Sequence, residues 1–216
     1  MIAWLGSEAF RTFGAPTSWA EVIGFVTGAI GVYFVARQNI LNWPIGIANN
    51  IVWILLFATA GLYADSALQV IYIALGIWGW WAWLRGGANR TELAVTRTTV
   101  RQWVWLAGAG IAATGVLVVV LGRFTGSTVP FWDAATTALS LLATWGQCRK
   151  KVESWWLWIV ADLIYIPLYQ YKGLTLTAIL YAGFLALCVL GLVRWTVDYR
   201  IRDTAATAPA LEGVPA

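Results

Sequence analysis

Long uncharged stretches constrain this chain more than any other feature of its sequence. Residues 102–122 carry no charged side chain, and neither do residues 173–193. A helix needs about 20 apolar residues to span the hydrocarbon core of a bilayer. Charged residues make up 11% of the chain, well below the share of about 25% in soluble domains. The sequence therefore predicts an all-α integral membrane protein.

The apolar stretches divide into seven predicted transmembrane helices. Between residues 38 and 84 the only charge is Asp65, and this stretch is too long for one helix, so it is split at the glycine turn in "TAGLYAD". The predicted helices are 19–36, 43–60, 64–84, 102–121, 131–148, 155–171 and 174–195. An N-terminal extracellular segment, 1–18, precedes them, and a small, polar C-terminal tail, 197–216, is predicted to be disordered.

The positive charges divide unequally between the two sides that seven spans create. One side receives Arg11, Arg123 and Lys172, and the other side receives the remaining 11 of the 14 lysines and arginines. Cytoplasmic loops of membrane proteins carry an excess of these residues. The division predicts a multi-pass protein of the bacterial cell membrane, with its N-terminus outside and its C-terminus in the cytoplasm.

A weak internal repeat relates the two ends of the chain. A shift of 112 residues aligns 19–84 with 131–196, and 12 of the 66 aligned positions are identical. The identical pairs include Trp43 with Trp155, Gly79 with Gly191, and Trp83 with Trp195. Two units of three helices, joined by a linker and connecting helix over 85–130, would have the same orientation, which predicts a 3+1+3 parallel repeat.

One face of the sixth predicted helix is an aromatic stripe interrupted by a carboxylate. Trp155, Trp158, Asp162, Tyr165 and Tyr169 follow one another at steps of three and four residues, so they share a helical face. The repeat aligns this face with Trp43, Gly46, Asn50, Trp53 and Phe57 of the second helix.

Asp162 has two interpretations at this depth. A charge at the bilayer centre costs at least ~2.5–3.5 kcal/mol, so something must compensate it. The carboxylate is either structural, neutral or bonded to a partner helix, or it is the counter-charge of a cationic substrate held by aromatic faces. No lysine or arginine lies within the predicted spans to pair with it, which favours a cation from outside.

The candidate substrate contacts follow from this face and from its equivalent in the first unit. Gln69 and Tyr181, which the repeat aligns, are predicted as second contacts, and Asn49 is predicted to hold helices together. The helix-end tryptophans Trp43, Trp83, Trp155 and Trp195 are predicted to form a belt at the membrane interface. The predicted substrate-binding set is Asp162, Trp158, Tyr165, Tyr169, Asn50, Trp53, Gln69 and Tyr181.

Several activities lack the residues that they require. There is no histidine, no metal-ligand cluster, no phosphate-binding G-x-x-x-x-G-K-[ST] motif and no nucleophile elbow. The seventh helix contains no lysine for a retinal Schiff base. We therefore expect no enzyme, no catalytic or metal site, no cofactor and no nucleic-acid partner, and a transporter is favoured over a non-transport membrane subunit.

Three stretches of the chain resemble the PnuC family of vitamin transporters. They are "NWPIGIANNIVW", "GLYADSALQVIYIALGIWGWWAW" and "PFWDAATTALSLLATWGQCRKKVESWWLWIVADLIYIPLYQYKGLTLTAILYAGF". The resemblance implies a fold related to the SWEET sugar transporters and facilitated diffusion of one small vitamin through a site at the middle of the membrane. It also suggests homotrimers and coupling to a cytoplasmic kinase that traps the substrate.

Members of the family differ in their vitamin, which is nicotinamide riboside, thiamine or riboflavin. Nicotinamide riboside and thiamine are aromatic cations and suit Asp162, whereas riboflavin is neutral and suits it less well. Many nicotinamide riboside members carry an amide at the position of Asp162, so this chain departs from them there. Nicotinamide riboside is the expected substrate because it is the commonest in the family, and thiamine is the alternative.

Overall fold

A computed structural model describes residues 4, 7–12, 15–59, 63–125, 128–171 and 175–207. Within these residues seven long helices follow a short antiparallel hairpin. The strands are β1 (Glu8–Thr12) and β2 (Ala15–Ser18). The helices are α1 (Trp19–Ala36), α2 (Asn42–Thr59), α3 (Tyr63–Arg85), α4 (Val100–Phe124), α5 (Pro130–Cys148), α6 (Ser154–Tyr171) and α7 (Thr175–Thr207).

The predicted helices agree with the observed ones within three residues at every end but one. A capping box between Thr99 and Gln102 starts α4, and Pro130 occupies the first turn of α5, where its missing N–H costs nothing. The expectation of a purely helical chain is wrong at the N-terminus. There β1 and β2 pair, although they are too short for an alternating pattern to predict them.

The last helix is longer than the sequence predicted. α7 continues to Thr207, so the prediction of a disordered tail from residue 197 is wrong as far as that residue. Residues 197–207 contain neither glycine nor proline, and Arg202 pairs with Asp198 one turn earlier, at 3.3 Å. The rest of the predicted tail, 208–216, lies outside the described residues.

Three helices of the described part are long and apolar enough to cross a membrane by length and composition alone. They are Asp65–Arg85, Val100–Phe124 and Thr175–Thr207, and a shorter apolar helix covers Val22–Ala36. α4 packs against α5 and buries none of its residues inside the protein, as expected of a helix that faces lipid over most of its surface. The remaining helices are shorter or carry more polar residues.

The four helix-end tryptophans do not form an interface belt, and that prediction is wrong. Trp43, Trp83, Trp155 and Trp195 are between 0% and 6% exposed and pack together in the protein core. Trp43 meets Trp83 edge to face, with ring centroids 5.3 Å apart, and Trp155 meets Trp195 in the same way at 5.4 Å. This tryptophan cluster joins the helix ends near residues 36, 43, 83, 148, 155 and 195.

Bounds and turns recur at a spacing of 112 residues. α2 and α6 begin and end at equivalent positions, and α1 and α5 end at equivalent positions. The turns after α1 and α5 each contain one left-handed residue, Gln38 with φ 53° and Lys150 with φ 46°. Packing follows the same rule, because α1 contacts α7 and α3 contacts α5.

The linker between α3 and α4 is tied to the turn after α5. Thr96 pairs with that turn by two backbone hydrogen bonds, to Lys150 and from Val152, at 3.0 and 3.1 Å. Glu153 then accepts hydrogen bonds from the backbone N–H and the hydroxyl of Thr98, at 2.8 and 2.9 Å. The linker therefore lies across the end of the bundle that holds the tryptophan cluster.

Candidate functional site

A cavity of about 610 Å³ lies between the two three-helix units. Its size is that of a small-molecule site, since such sites occupy roughly 300–1,000 Å³. Helices α1, α2, α3, α5, α6 and α7 all contribute to its wall. Every residue that the sequence predicted as a substrate contact lines it: Asp162, Trp158, Tyr165, Tyr169, Asn50, Trp53, Gln69 and Tyr181.

Asp162 is a buried carboxylate in this wall, and it is 2% exposed. The thiol of Cys188 on α7 donates a hydrogen bond to its Oδ2 at 3.4 Å. A thiol is a weak donor, and no lysine or arginine is among the described residues that line the cavity. The protein itself therefore provides little compensation for a negative charge at this position.

Stacked aromatic pairs line both sides of the cavity. On α6 the rings of Tyr165 and Tyr169 stack with centroids 5.5 Å apart, and Tyr181 of α7 packs on Tyr165 at 4.7 Å. On α2 the rings of Trp53 and Phe57 stack at 5.2 Å. Flat faces of this kind can hold an aromatic ring or a cation.

Neutral polar groups complete the wall. The Thr27 hydroxyl of α1 donates to Asn49 Oδ1 at 3.2 Å, so Asn49 joins two helices as predicted, and it also lines the cavity. The hydroxyls of Tyr72 and Ser140 lie 2.7 Å apart and join α3 to α5. The indole nitrogen of Trp158 is buried and has no hydrogen-bond partner among the described residues.

Two cavity residues were assigned to packing by the sequence. Cys188 was interpreted as a core residue, yet its thiol contacts Asp162. Ser140 was interpreted as a small residue for helix packing, yet its hydroxyl meets Tyr72 within the cavity wall. A weak signal was available for Ser140, because the repeat aligns Ser140 and Tyr72 with Gly28 and Phe184, which also touch.

One end of the cavity is closed by the tryptophan cluster, and Trp43 belongs to both. Beyond the cluster, the Lys150 ammonium lies 4.5 Å from the centre of the Trp83 ring and donates to Gln38 Oε1 at 3.2 Å. Burial lowers the pKa of Lys150, against the opposing effect of the Glu92 carboxylate. Gln38 in turn donates to Asp198 of α7 at 3.2 Å. This end of the bundle is therefore held by contacts between the units.

A multi-pass helical protein with an aromatic cavity between two helix units, closed at one end, has the construction of a small-molecule transporter. The sequence model of the family described as "Nicotinamide mononucleotide transporter" matches residues 18–197. That match covers most of the chain, and the chain belongs to this family of membrane transporters, which are not enzymes.

Relatives with assigned substrates support the same assignment. The chain is 29% identical to the riboflavin/roseoflavin transporter RibM of Streptomyces davaonensis, over 99% of each chain. It is 26% identical to the nicotinamide riboside transporter PnuC of Escherichia coli, over 89% of this chain and 91% of PnuC. A crystal structure of the vitamin B3 transporter PnuC superimposes with a TM-score of 0.65 at 26% identity, over 85% of this chain and 83% of PnuC.

Proposed function

We propose that this transporter mediates facilitated diffusion of a small aromatic vitamin with a positively charged ring, nicotinamide riboside before thiamine. The observation that carries the proposal is Asp162, a buried carboxylate beside aromatic faces, with no lysine or arginine among the described cavity-lining residues. A cationic ring would supply the missing charge, and Trp158 and Tyr165 would supply the faces that contact it. Several relatives are named as nicotinamide riboside transporters, which favours this vitamin over thiamine.

Riboflavin is the second candidate, because the relative RibM aligns over nearly the full length of both chains. The flavin ring is neutral and gains nothing from the charge of Asp162. It does carry an N–H group that a carboxylate can accept as a hydrogen bond. The two candidates therefore differ in what Asp162 contributes, which makes that residue the one to test.

The proposed architecture is a parallel 3+1+3 repeat of the kind found in SWEET transporters, with units 19–84 and 131–196 joined through 85–130. Matching helix bounds and the matching tryptophan pairs support this arrangement. The positive charges support an N-terminus outside and a C-terminus in the cytoplasm. The family resemblance supports a homotrimer and trapping of the substrate by a cytoplasmic kinase.

Transport is proposed to be passive. The cavity wall described here contains one carboxylate, Asp162, and the sequence has no phosphate-binding motif for ATP. In proteoliposomes the vitamin should equilibrate across the membrane and should not accumulate. Sustained uphill accumulation driven by a proton or sodium gradient would contradict passive transport.

The experiment that tests the substrate is binding calorimetry of the purified protein against nicotinamide riboside, thiamine and riboflavin. Asp162→Asn keeps the shape of the side chain and removes its charge. A hydrogen bond to a charged group is worth about 1.5–3 kcal/mol, so affinity for the cationic vitamin should fall about 10- to 100-fold. A neutral analogue, the reduced riboside, should bind both proteins about equally.

Tyr165→Phe is the matched second variant, since it keeps the aromatic face and removes only the hydroxyl. It should weaken binding less than Asp162→Asn does. A thermal melt of each variant confirms that it is folded. Equal affinity of folded Asp162→Asn and wild-type protein for the cationic vitamin would make Asp162 structural, and binding of riboflavin alone would establish the second candidate.

A further inference from the structure

The two sides of the cavity differ in chemistry at positions that are equivalent in geometry. We propose that the substrate binds in one orientation, with its aromatic ring against α6 and α7 and a neutral hydroxylated chain against α2 and α3. This inference rests on the proposed function and adds to it the second half of the substrate. It is drawn from four pairs of aligned positions and from the space beside one glycine.

The two units pack alike where they close the cavity. Trp43 and Trp83 meet at 5.3 Å and 88°, and Trp155 and Trp195 meet at 5.4 Å and 88°. Each unit also hydrogen-bonds a tryptophan indole to the other unit's backbone. Differences along the cavity therefore reflect the residues placed there, not a different packing of the helices.

The wall formed by α6 and α7 is anionic and phenolic. It presents Asp162, and it presents Tyr165, Tyr169 and Tyr181, whose rings pack against one another with centroids 4.7–5.5 Å apart. Carboxylate oxygens accept hydrogen bonds and attract cations, and the ring faces stack on flat π systems. This wall suits the aromatic part of a substrate.

The equivalent wall formed by α2 and α3 is neutral and carries amides. Asn50 stands at the position of Asp162, and Gln69 stands at the position of Tyr181. Asn49 adds a third amide, which the Thr27 hydroxyl holds in place. An amide offers both donors and acceptors, so a group of amides suits hydroxyls, which also act as both.

The amide side also has the free space. Trp158 fills part of the wall on α6, and the aligned residue on α2 is Gly46, beside which no atom lies within 4 Å of the position of a β-carbon. A flat ring held near Trp158 therefore leaves room for a chain beside Gly46. A substrate that consists of a ring and a hydroxylated chain would fill both halves.

This orientation sets the class of substrate more narrowly than charge does. Nicotinamide riboside and riboflavin each join an aromatic ring to a chain or sugar with several hydroxyls, whereas thiamine carries a single hydroxyethyl group. The amide side should therefore discriminate between hydroxylated and deoxygenated forms of the same vitamin. The carboxylate side should respond to changes in the ring.

The test changes one side of the cavity and one half of the ligand at a time. Gln69→Met and Asn50→Leu remove amides at nearly constant volume, and Asp162→Asn removes the charge. Ser66→Ala is the control, since Ser66 lies on the same helix as Gln69 and its hydroxyl donates to Ile54 O at 3.2 Å outside the cavity. The probes are nicotinamide riboside with its 2′,3′-dideoxy form, and riboflavin with lumiflavin, which lacks the hydroxylated chain.

Gln69→Met and Asn50→Leu should each weaken binding of the hydroxylated probe by about 3- to 10-fold, the worth of one neutral hydrogen bond. They should leave binding of the deoxygenated probe unchanged, and Ser66→Ala should change neither. Asp162→Asn should weaken both nicotinamide probes by a similar factor. The orientation is overturned if the amide variants weaken both probes alike, or if wild-type protein binds thiamine alone. Failure of wild-type protein to bind any of the three vitamins would instead overturn the proposed function.

Discussion

Trp83 and Trp195 lie in the core with their ring centroids 6.0 Å apart, and each donates its indole N–H to the opposite unit. Trp83 Nε1 donates to the carbonyl of Gln147 at 2.9 Å, and Trp195 Nε1 donates to the carbonyl of Val35 at 3.2 Å. Both donors and both acceptors are 112 residues apart. The contact is therefore reciprocal, and it joins the units where they close the cavity.

The first prediction is that Trp83→Phe and Trp195→Phe destabilise the protein by similar amounts. Each loses a buried hydrogen bond and leaves a cavity, at a cost of about 2–4 kcal/mol. Thermal melts in detergent measure the loss. Trp81→Phe is the control because Trp81 is 56% exposed on the same helix, and a loss as large in that variant would show that the cluster has no special role.

The cluster also marks the limit of what the sequence could predict. A tryptophan at a helix end has the same local pattern whether it faces lipid headgroups or the protein core, so Trp43 and Trp155 gave no sign of their burial. The cavity-lining face of α6 was predictable, because steps of three and four residues are a local property of one helix. Whether those residues bind substrate remains a proposal.

The ends of the chain were harder to predict for a different reason. The hairpin of β1 and β2 depends on pairing between two very short strands, and neither has a pattern of its own. The extension of α7 beyond Trp195 has no apolar face that would mark it as a helix, and the pairing of Arg202 with Asp198 appears only once the helix exists.

A second prediction concerns the glycines that face the cluster. A β-carbon on Gly79 would overlap the Trp43 ring, and one on Gly191 would overlap the Trp155 ring. Gly79→Ala and Gly191→Ala should each cost about 1–3 kcal/mol, since overpacking forces rings or helices to move. Gly183→Ala on α7 has no atom within 4 Å and should be neutral or slightly stabilising, because alanine favours helix. Equal melting temperatures for all three variants would contradict the close packing.

The third prediction concerns the orientation of the chain in the membrane. A reporter fused after Arg202 should be cytoplasmic, and one inserted between residues 123 and 129 should be extracellular. The unequal division of the lysines and arginines gives this expectation. Enzymatic reporters that are active on one side only, such as alkaline phosphatase, measure both positions. The opposite result at either position would contradict the seven-span topology.

The last prediction is that Glu153 keeps the linker between α3 and α4 against the end of the bundle. Its Oε2 accepts two hydrogen bonds from Thr98, from the backbone N–H and the hydroxyl. Glu153→Ala removes both, and hydrogen bonds to a charged group are worth about 1.5–3 kcal/mol, so the linker should open about 10- to 100-fold more often. Limited trypsinolysis measures this as faster cleavage after Arg97, because cleavage follows the population of the open form. Asp203→Ala removes an exposed carboxylate on α7 and should leave the cleavage rate unchanged. Equal rates in wild-type protein and Glu153→Ala would mean that the backbone pairing at Thr96 holds the linker without help from Glu153.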